Sequence, residues 1–243
     1  MSYCLGIKTQ DGIVLASDSR TSAGDQVNLT RKMHLFEKRG ERVFGILTTG
    51  SLSLSQSVIT LLRLDFDDGK GLCDVDTMYD AARVLGEKIR RVSDLDRAAL
   101  ERDGLSFNVH LLLGGQIKGQ PPELYLIYPQ GNPIRATLDT PYIQIGESKY
   151  GRPILDRGVR YTGTSLEVAA KYALISLDST MRSNSTVGPP VDLLMYSNDS
   201  LDFSRYRRFH ASDPDLQAMH QQWEQSLRRA MQELPEVSFE MHE

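Results

Sequence analysis

Cysteine is scarce: Cys4 and Cys73 are the only two in 243 residues, and they do not form a CxxC pair. This excludes a disulfide framework and a cysteine-built zinc site. Positive charge is not in excess either. The formal net charge is −4, so the chain lacks the basic face that nucleic acid attracts. No apolar run approaches the ~18 residues of a membrane span. The first residues are neither basic nor followed by an apolar core of signal length, so no export signal is read and a cytoplasmic setting is expected. HExxH, P-loop and GxGxxG motifs are absent, which removes the common metal, nucleotide and dinucleotide sites. None of His34, His110, His210, His220 and His242 accompanies a G-x-S-x-G sequence, so a Ser–His–Asp triad has no footing. No cofactor, metal, nucleic acid or membrane partner is expected.

What remains is ordinary globular material, 40% apolar and 25% charged, enough for one full-sized core. Residues 3–8 and 12–17 are apolar and β-branched around Asp11-Gly12, a strong hairpin signal. Residues 19–31 are polar, contain Gly24 and read as a loop. Lys32–Phe36 and Arg42–Thr49 form a second hairpin-like pair around Gly40. After Gly50 the period changes. Leu52, Leu54, Val58, Ile59, Leu61 and Leu62 predict a helix, which Asp65–Asp74 breaks. Asp76 or Thr77 caps a second helix carrying Met78, Ala81, Ala82, Leu85 and Ile89, which continues or restarts towards Gly104.

Strands return at Phe107–Leu113, Leu124–Tyr128, Ile134–Thr137 and Tyr142–Ile145. A helix behind a Thr164 or Ser165 cap runs from Leu166 towards Met181, and Val191–Tyr196 reads as the last strand. This order is not alternating βαβ, so an α+β fold is expected, with helices layered on antiparallel sheets. Leu216, Met219, Trp223, Leu227, Ala230 and Leu234 then form a helical stripe, capped by Asp213 and ended by Pro235. A stripe carrying the only tryptophan should be covered, by its own domain or by a neighbouring subunit; the sequence leaves both open. The Arg205–Arg208 cluster reads as a solvated or subunit-contacting surface.

The chemistry-bearing residues gather at the front. Ser2 follows the initiator methionine directly, and serine is small enough for Met1 removal to be expected. A serine hydroxyl needs a base within reach. An α-amino group, with an unperturbed pKa of about 7.7–8.0, can be that base. Asp18 ends a strand that runs back beside the first, and Lys32 begins the third. A lysine beside the nucleophile eases its deprotonation, and a carboxylate orients the lysine. The Gly50 amide, between a strand end and a helix start, suits an oxyanion donor. Each residue also has a plain structural reading: a hydroxyl after Met1 is common, Asp18 is a turn former and Lys32 a solvated charge.

Taken in order, the hairpin at Asp11-Gly12, Ala16-Ser17-Asp18-Ser19-Arg20, Lys32-Met33-His34 and Thr49-Gly50-Ser51 resemble proteasome β-type subunits of the N-terminal nucleophile hydrolase superfamily. Ile145-Gly146-Glu147-Ser148-Lys149-Tyr150 is similar to the glycine-serine segment that precedes a helix in that family. The resemblance covers about residues 2–200, and the C-terminal helix makes it most similar to the bacterial homologues called Anbu (ancestral β subunit). It implies a four-layer αββα sandwich of two antiparallel sheets flanked by helices, with residues 1–203 as the hydrolase domain and 204–243 as a C-terminal helical extension. It implies peptide-bond hydrolysis with Ser2, Asp18 and Lys32 as catalytic residues, and self-association into a ring or low-pitch helical homo-oligomer.

Three positions depart from the family pattern. Ser2 stands where most members have threonine, the aspartate expected after Arg182 is absent, and Glu147 intrudes beside Ser148, the supporting residue the segment would supply. Two other functions remain in view: a non-proteolytic scaffold or chaperone-like assembly with the same fold, and an amidase acting on a small substrate. Cys4 lies two residues too deep to serve such an amidase as an N-terminal nucleophile.

Overall fold

A two-residue turn at Gln10-Asp11 joins β1 (Tyr3–Thr9) to β2 (Gly12–Ser17), and Gly12 takes a positive φ of 149° there. Every residue of both strands is buried. Their near-continuous apolar runs, rather than alternation, reflect a sheet covered on both faces. The computed structural model describes residues 2–23, 26–237 and 239.

Two five-stranded antiparallel sheets stack face to face. The first adds β10 (Tyr142–Gly146), β11 (Val191–Ser197) and β12 (Tyr206–Phe209) to the opening hairpin, in the order β10-β1-β2-β11-β12. The second contains β5 (Met33–Lys38), β6 (Arg42–Gly50), β7 (Val109–Ile117), β8 (Glu123–Ile127) and β9 (Pro133–Arg135), in chain order. Between them lies a core of Ile13, Leu15, Leu47, Leu112, Leu124 and Leu194. Leu15 fills a hollow left by two glycines of the second sheet, where a Cβ at Gly45 or Gly114 would press on its methyl groups.

Helices α1 (Leu52–Asp67) and α2 (Met78–Arg102) cover the outer face of the second sheet. Helices α3 (Arg152–Gly158) and α4 (Leu166–Ser183) cover the first. The αββα order that the family resemblance implies is therefore observed. The caps follow the sequence too, with Thr77 accepting from the Asp80 N–H and Ser165 from the Val168 N–H. Helix α2 is continuous, and α1 runs on through Asp65 to Asp67.

Two expectations need correction. Residues 19–31 are not simply a loop: β3 (Arg20–Ala23) and β4 (Gln26–Leu29) form a separate hairpin, while Gly24 lies outside the described residues. These strands are too short and polar to show period-two alternation. The last strand is also not 191–196, because β12 follows it and pairs with β11. Only Phe209 of β12 is buried, as fits an arginine-rich sheet edge.

Helix α5 (Pro214–Gln232) starts at Asp213, whose carboxylate accepts from the Asp215 and Leu216 N–H groups. Leu216 and Met219 pack on the α4 layer, and the His220 Nδ1 lies 2.8 Å from Asp178 of α4. The far end is bare: Leu227 is 47% and Met231 68% exposed. The helix folds back on its own domain over its first turns only. No helix among the described residues is long and apolar enough to cross a membrane.

Candidate active site at the start of the first strand

The tight turn fixes the register Cys4↔Ser17, which sets Asp18 opposite Tyr3. Asp18 is fully buried, and each of its oxygens takes two donors. Oδ1 accepts from the Tyr3 N–H at 3.0 Å and from the Lys32 ammonium at 2.6 Å. Oδ2 accepts from the Arg20 N–H at 3.1 Å and the Gly188 N–H at 3.2 Å. Burial pushes the Asp18 carboxyl up from the ordinary carboxylate value, while the Lys32 charge and these donors pull against it. Lys32, 4% exposed, also donates to the Arg20 carbonyl at 2.6 Å, so two acceptors anchor its ammonium.

Ser2 stands half-buried at the head of β1, and its carbonyl accepts the Glu147 N–H at 2.8 Å. Gly146 makes this approach possible: φ is 86° there, and any Cβ would run into the Ser2 carbonyl. Gly50 closes β6 at φ 102°, and a Cβ would strike the Asn108 carbonyl. Ser2, Lys32 and Gly50 line one small cavity of about 30 Å³ together with Arg31, Thr48, Thr49 and Ser55. Asp18 stands behind Lys32.

A second, larger recess of about 570 Å³ shares Ser2, Thr49 and Gly50 with the first and is lined further by Asn108, His110, Leu126, Tyr128 and Gln144 among others. His110 and Tyr128 meet edge to face, with ring centroids 6.4 Å apart. Burial lowers the His110 pKa, so the ring is neutral near pH 7. No Lys, Arg, Asp or Glu side chain lines this recess.

Of the residues singled out in the sequence, Ser2, Asp18, Lys32 and Gly50 come together. Ser148 does not: it is half-buried, its carbonyl accepts from the Arg152 N–H, and it lines neither cavity at Ser2. Glu147 takes the adjacent place, with a 5% exposed side chain whose Oε2 accepts from Asn184 Nδ2 at 3.1 Å. His34 shares a strand face with Phe36 and turns towards α1, where burial and the Arg63 charge lower its pKa to about 4. Cys4 is wholly buried in the strand, and its thiol is pushed above the usual range. The recess residues and the Glu147–Asn184 contact were missed by sequence reasoning. The one available signal was position: in the antiparallel ladder, Glu147 follows the residue opposite Tyr3.

The family described as "Proteasome subunit" matches residues 2–194. The chain belongs to the proteasome subunit family. Among curated family members, the proteasome subunit beta of Haloferax volcanii is 27% identical over 208 residues, spanning 84% of this chain and 77% of that protein. Solved structures are nearer. Anbu (ancestral beta-subunit) from Yersinia bercovieri is 42% identical with a TM-score of 0.92, covering 98% of this chain and all of that one (100%). The helical assembly of the Anbu complex from Pseudomonas aeruginosa gives 44% identity and a TM-score of 0.92, over 97% of this chain and 98% of that one. The Anbu structures therefore match the chain nearly end to end, α5 included, whereas the family match ends at residue 194.

Proposed function

We propose that this protein is a self-assembling N-terminal serine hydrolase of the bacterial cytoplasm that cleaves peptide bonds once Met1 is removed. The observation that carries this reading is the buried Asp18–Lys32 pair set behind the cavity that Ser2, Lys32 and Gly50 share. The Ser2 α-amine takes the hydroxyl proton as Oγ attacks the substrate carbonyl. The Lys32 ammonium stabilises the developing negative charge on Oγ, and Asp18 holds that ammonium in place. The Gly50 N–H donates to the oxyanion. The protonated amine then returns its proton to the leaving amine, and water hydrolyses the acyl-serine through the same base.

The recess beside Ser2, which holds no Lys, Arg, Asp or Glu side chain, suits an uncharged substrate side chain, because a charged one would find no side-chain counter-ion there. Self-assembly is supported by the helical assembly of the Pseudomonas aeruginosa relative and by the bare apolar end of α5. The decisive experiment is intact mass together with an acylating or boronate probe. Met1 should be absent and the label should map to Ser2. Ser2→Ala should lose labelling and hydrolysis while assembling normally. Met1 retained, or label on another residue, would overturn the proposal; assembly without labelling would leave a scaffold.

A further inference from the structure

The two cavities at Ser2 differ in what they can hold. Ser2, Thr21, Thr49 and Gly50 belong to the walls of both. The cavity at Lys32, about 30 Å³, has room for roughly one or two waters and for no large side chain. Of the two, only the recess of about 570 Å³ admits a bulky residue flanking the scissile bond.

The sheet register says what that residue meets. His110 pairs with Thr49 across β6 and β7, one position from the Gly50 that both cavities share. The β7–β8 ladder sets Leu111 against Ile127, which brings His110 beside Tyr128. Strand alternation turns Thr49, His110 and Tyr128 to the same face as Leu112 and Leu126, towards the first sheet. Deeper in the seam, Leu15 and Leu194 fill the space between the sheets. At this end Ile145 and Gly146 of the first sheet line the recess instead, and Gly146 brings no side chain, so both rings stay only half-buried. The rings meet at 71°, the edge-to-face arrangement that aromatic side chains favour and that a third ring can extend. Leu126 and Ile145 add apolar surface, and Thr21, Thr49 and Asn108 add neutral polar groups. Resting on the reading of Ser2 as the nucleophile, we propose that His110 and Tyr128 are the specificity-determining pair, selecting an aromatic residue, phenylalanine or tyrosine, beside the bond that is cut.

The test uses glycine-alanine peptides carrying one variable residue, with cut sites and rates read by mass spectrometry. Phenylalanine is compared with cyclohexylalanine, which has similar bulk and no π system. Apolar burial alone favours cyclohexylalanine, the more hydrophobic of the two. The ring pair should reverse that order, with cleavage next to phenylalanine about 2- to 10-fold faster. His110→Leu and Tyr128→Leu should each remove the preference, and His110→Phe should keep it. Two leucine variants cover the case in which one fails to fold. Cyclohexylalanine equal to or better than phenylalanine in the wild type, or an unchanged ratio in either leucine variant, would overturn the inference. If no peptide is cut, the hydrolase reading falls, and binding to Ser2→Ala still decides the recess. There N-acetyl-phenylalanine amide should shift the His110 ring resonances at lower concentration than N-acetyl-cyclohexylalanine amide. No shift, or the reverse order, would overturn the assignment of the pair.

Discussion

Replacing Lys32 with methionine keeps most of the side-chain volume and removes the ammonium that contacts Asp18. The carboxylate left behind is fully buried but keeps three backbone donors, from Tyr3, Arg20 and Gly188. Breaking a buried ion pair costs about 3–5 kcal/mol, and these donors place the expected loss near the lower end, about 3 kcal/mol. For a chain of this size each kcal/mol moves the thermal midpoint by roughly 2–4 °C. The expected drop at neutral pH is therefore about 6–12 °C, measured at matched protein concentration.

The pH dependence is the sharper signature. Burial already raises the Asp18 pKa, and loss of Lys32 raises it further. A group raised on folding gives its full stabilisation below its unfolded value, about 3.9 for aspartate, and loses it as pH climbs through the folded value. The deficit of Lys32→Met should therefore be small near pH 4 and full at pH 7.5. Lys32→Met combined with Asp18→Asn should recover more than half of the loss, because no buried charge remains. A deficit of equal size at both pH values, or a double variant as poor as the sum of the singles, would refute the reasoning.

Two other perturbations probe separate features. Gly50→Ala forces a side chain onto a φ of 102° and into the Asn108 carbonyl; it should cost about 1–3 kcal/mol and slow Ser2 acylation by about 10²-fold, read by melting and by probe labelling. His34 has its pKa lowered to about 4, so it supplies stability that is complete above its unfolded value of about 6.5 and is lost as pH falls towards 4. His34→Gln should flatten the fall in thermal midpoint across that window, and an unchanged slope would contradict it.

Much of this was written in the order of residues. The Asp11-Gly12 turn fixes a register in which position 18 must face position 3, so the carboxylate near the N-terminus follows from counting across one hairpin. The period change after Gly50 marks where strand becomes helix. The Glu147–Asn184 contact was not legible, because it joins two irregular segments 37 residues apart that share no periodicity. The β3–β4 hairpin and β12 escaped because short, polar strands show no alternation. The apolar stripe of α5 announced a helix correctly. Helical spacing says which residues share a face and nothing about how far along the helix the cover extends.

The seam between the sheets has a consequence for the site at its end. Ser2 and Asp18 ride on the first sheet, while Lys32 and Gly50 ride on the second. The gauge between those two carriers is set partly by Leu15 resting against Gly45 and Gly114, on the strands rather than at the site. One methyl group added at Gly45 would act as a wedge, prising the carboxylate from its ammonium without altering either. The spacing of Ser2, Asp18, Lys32 and Gly50 is thus held by absent side chains, deep in the layer between the sheets.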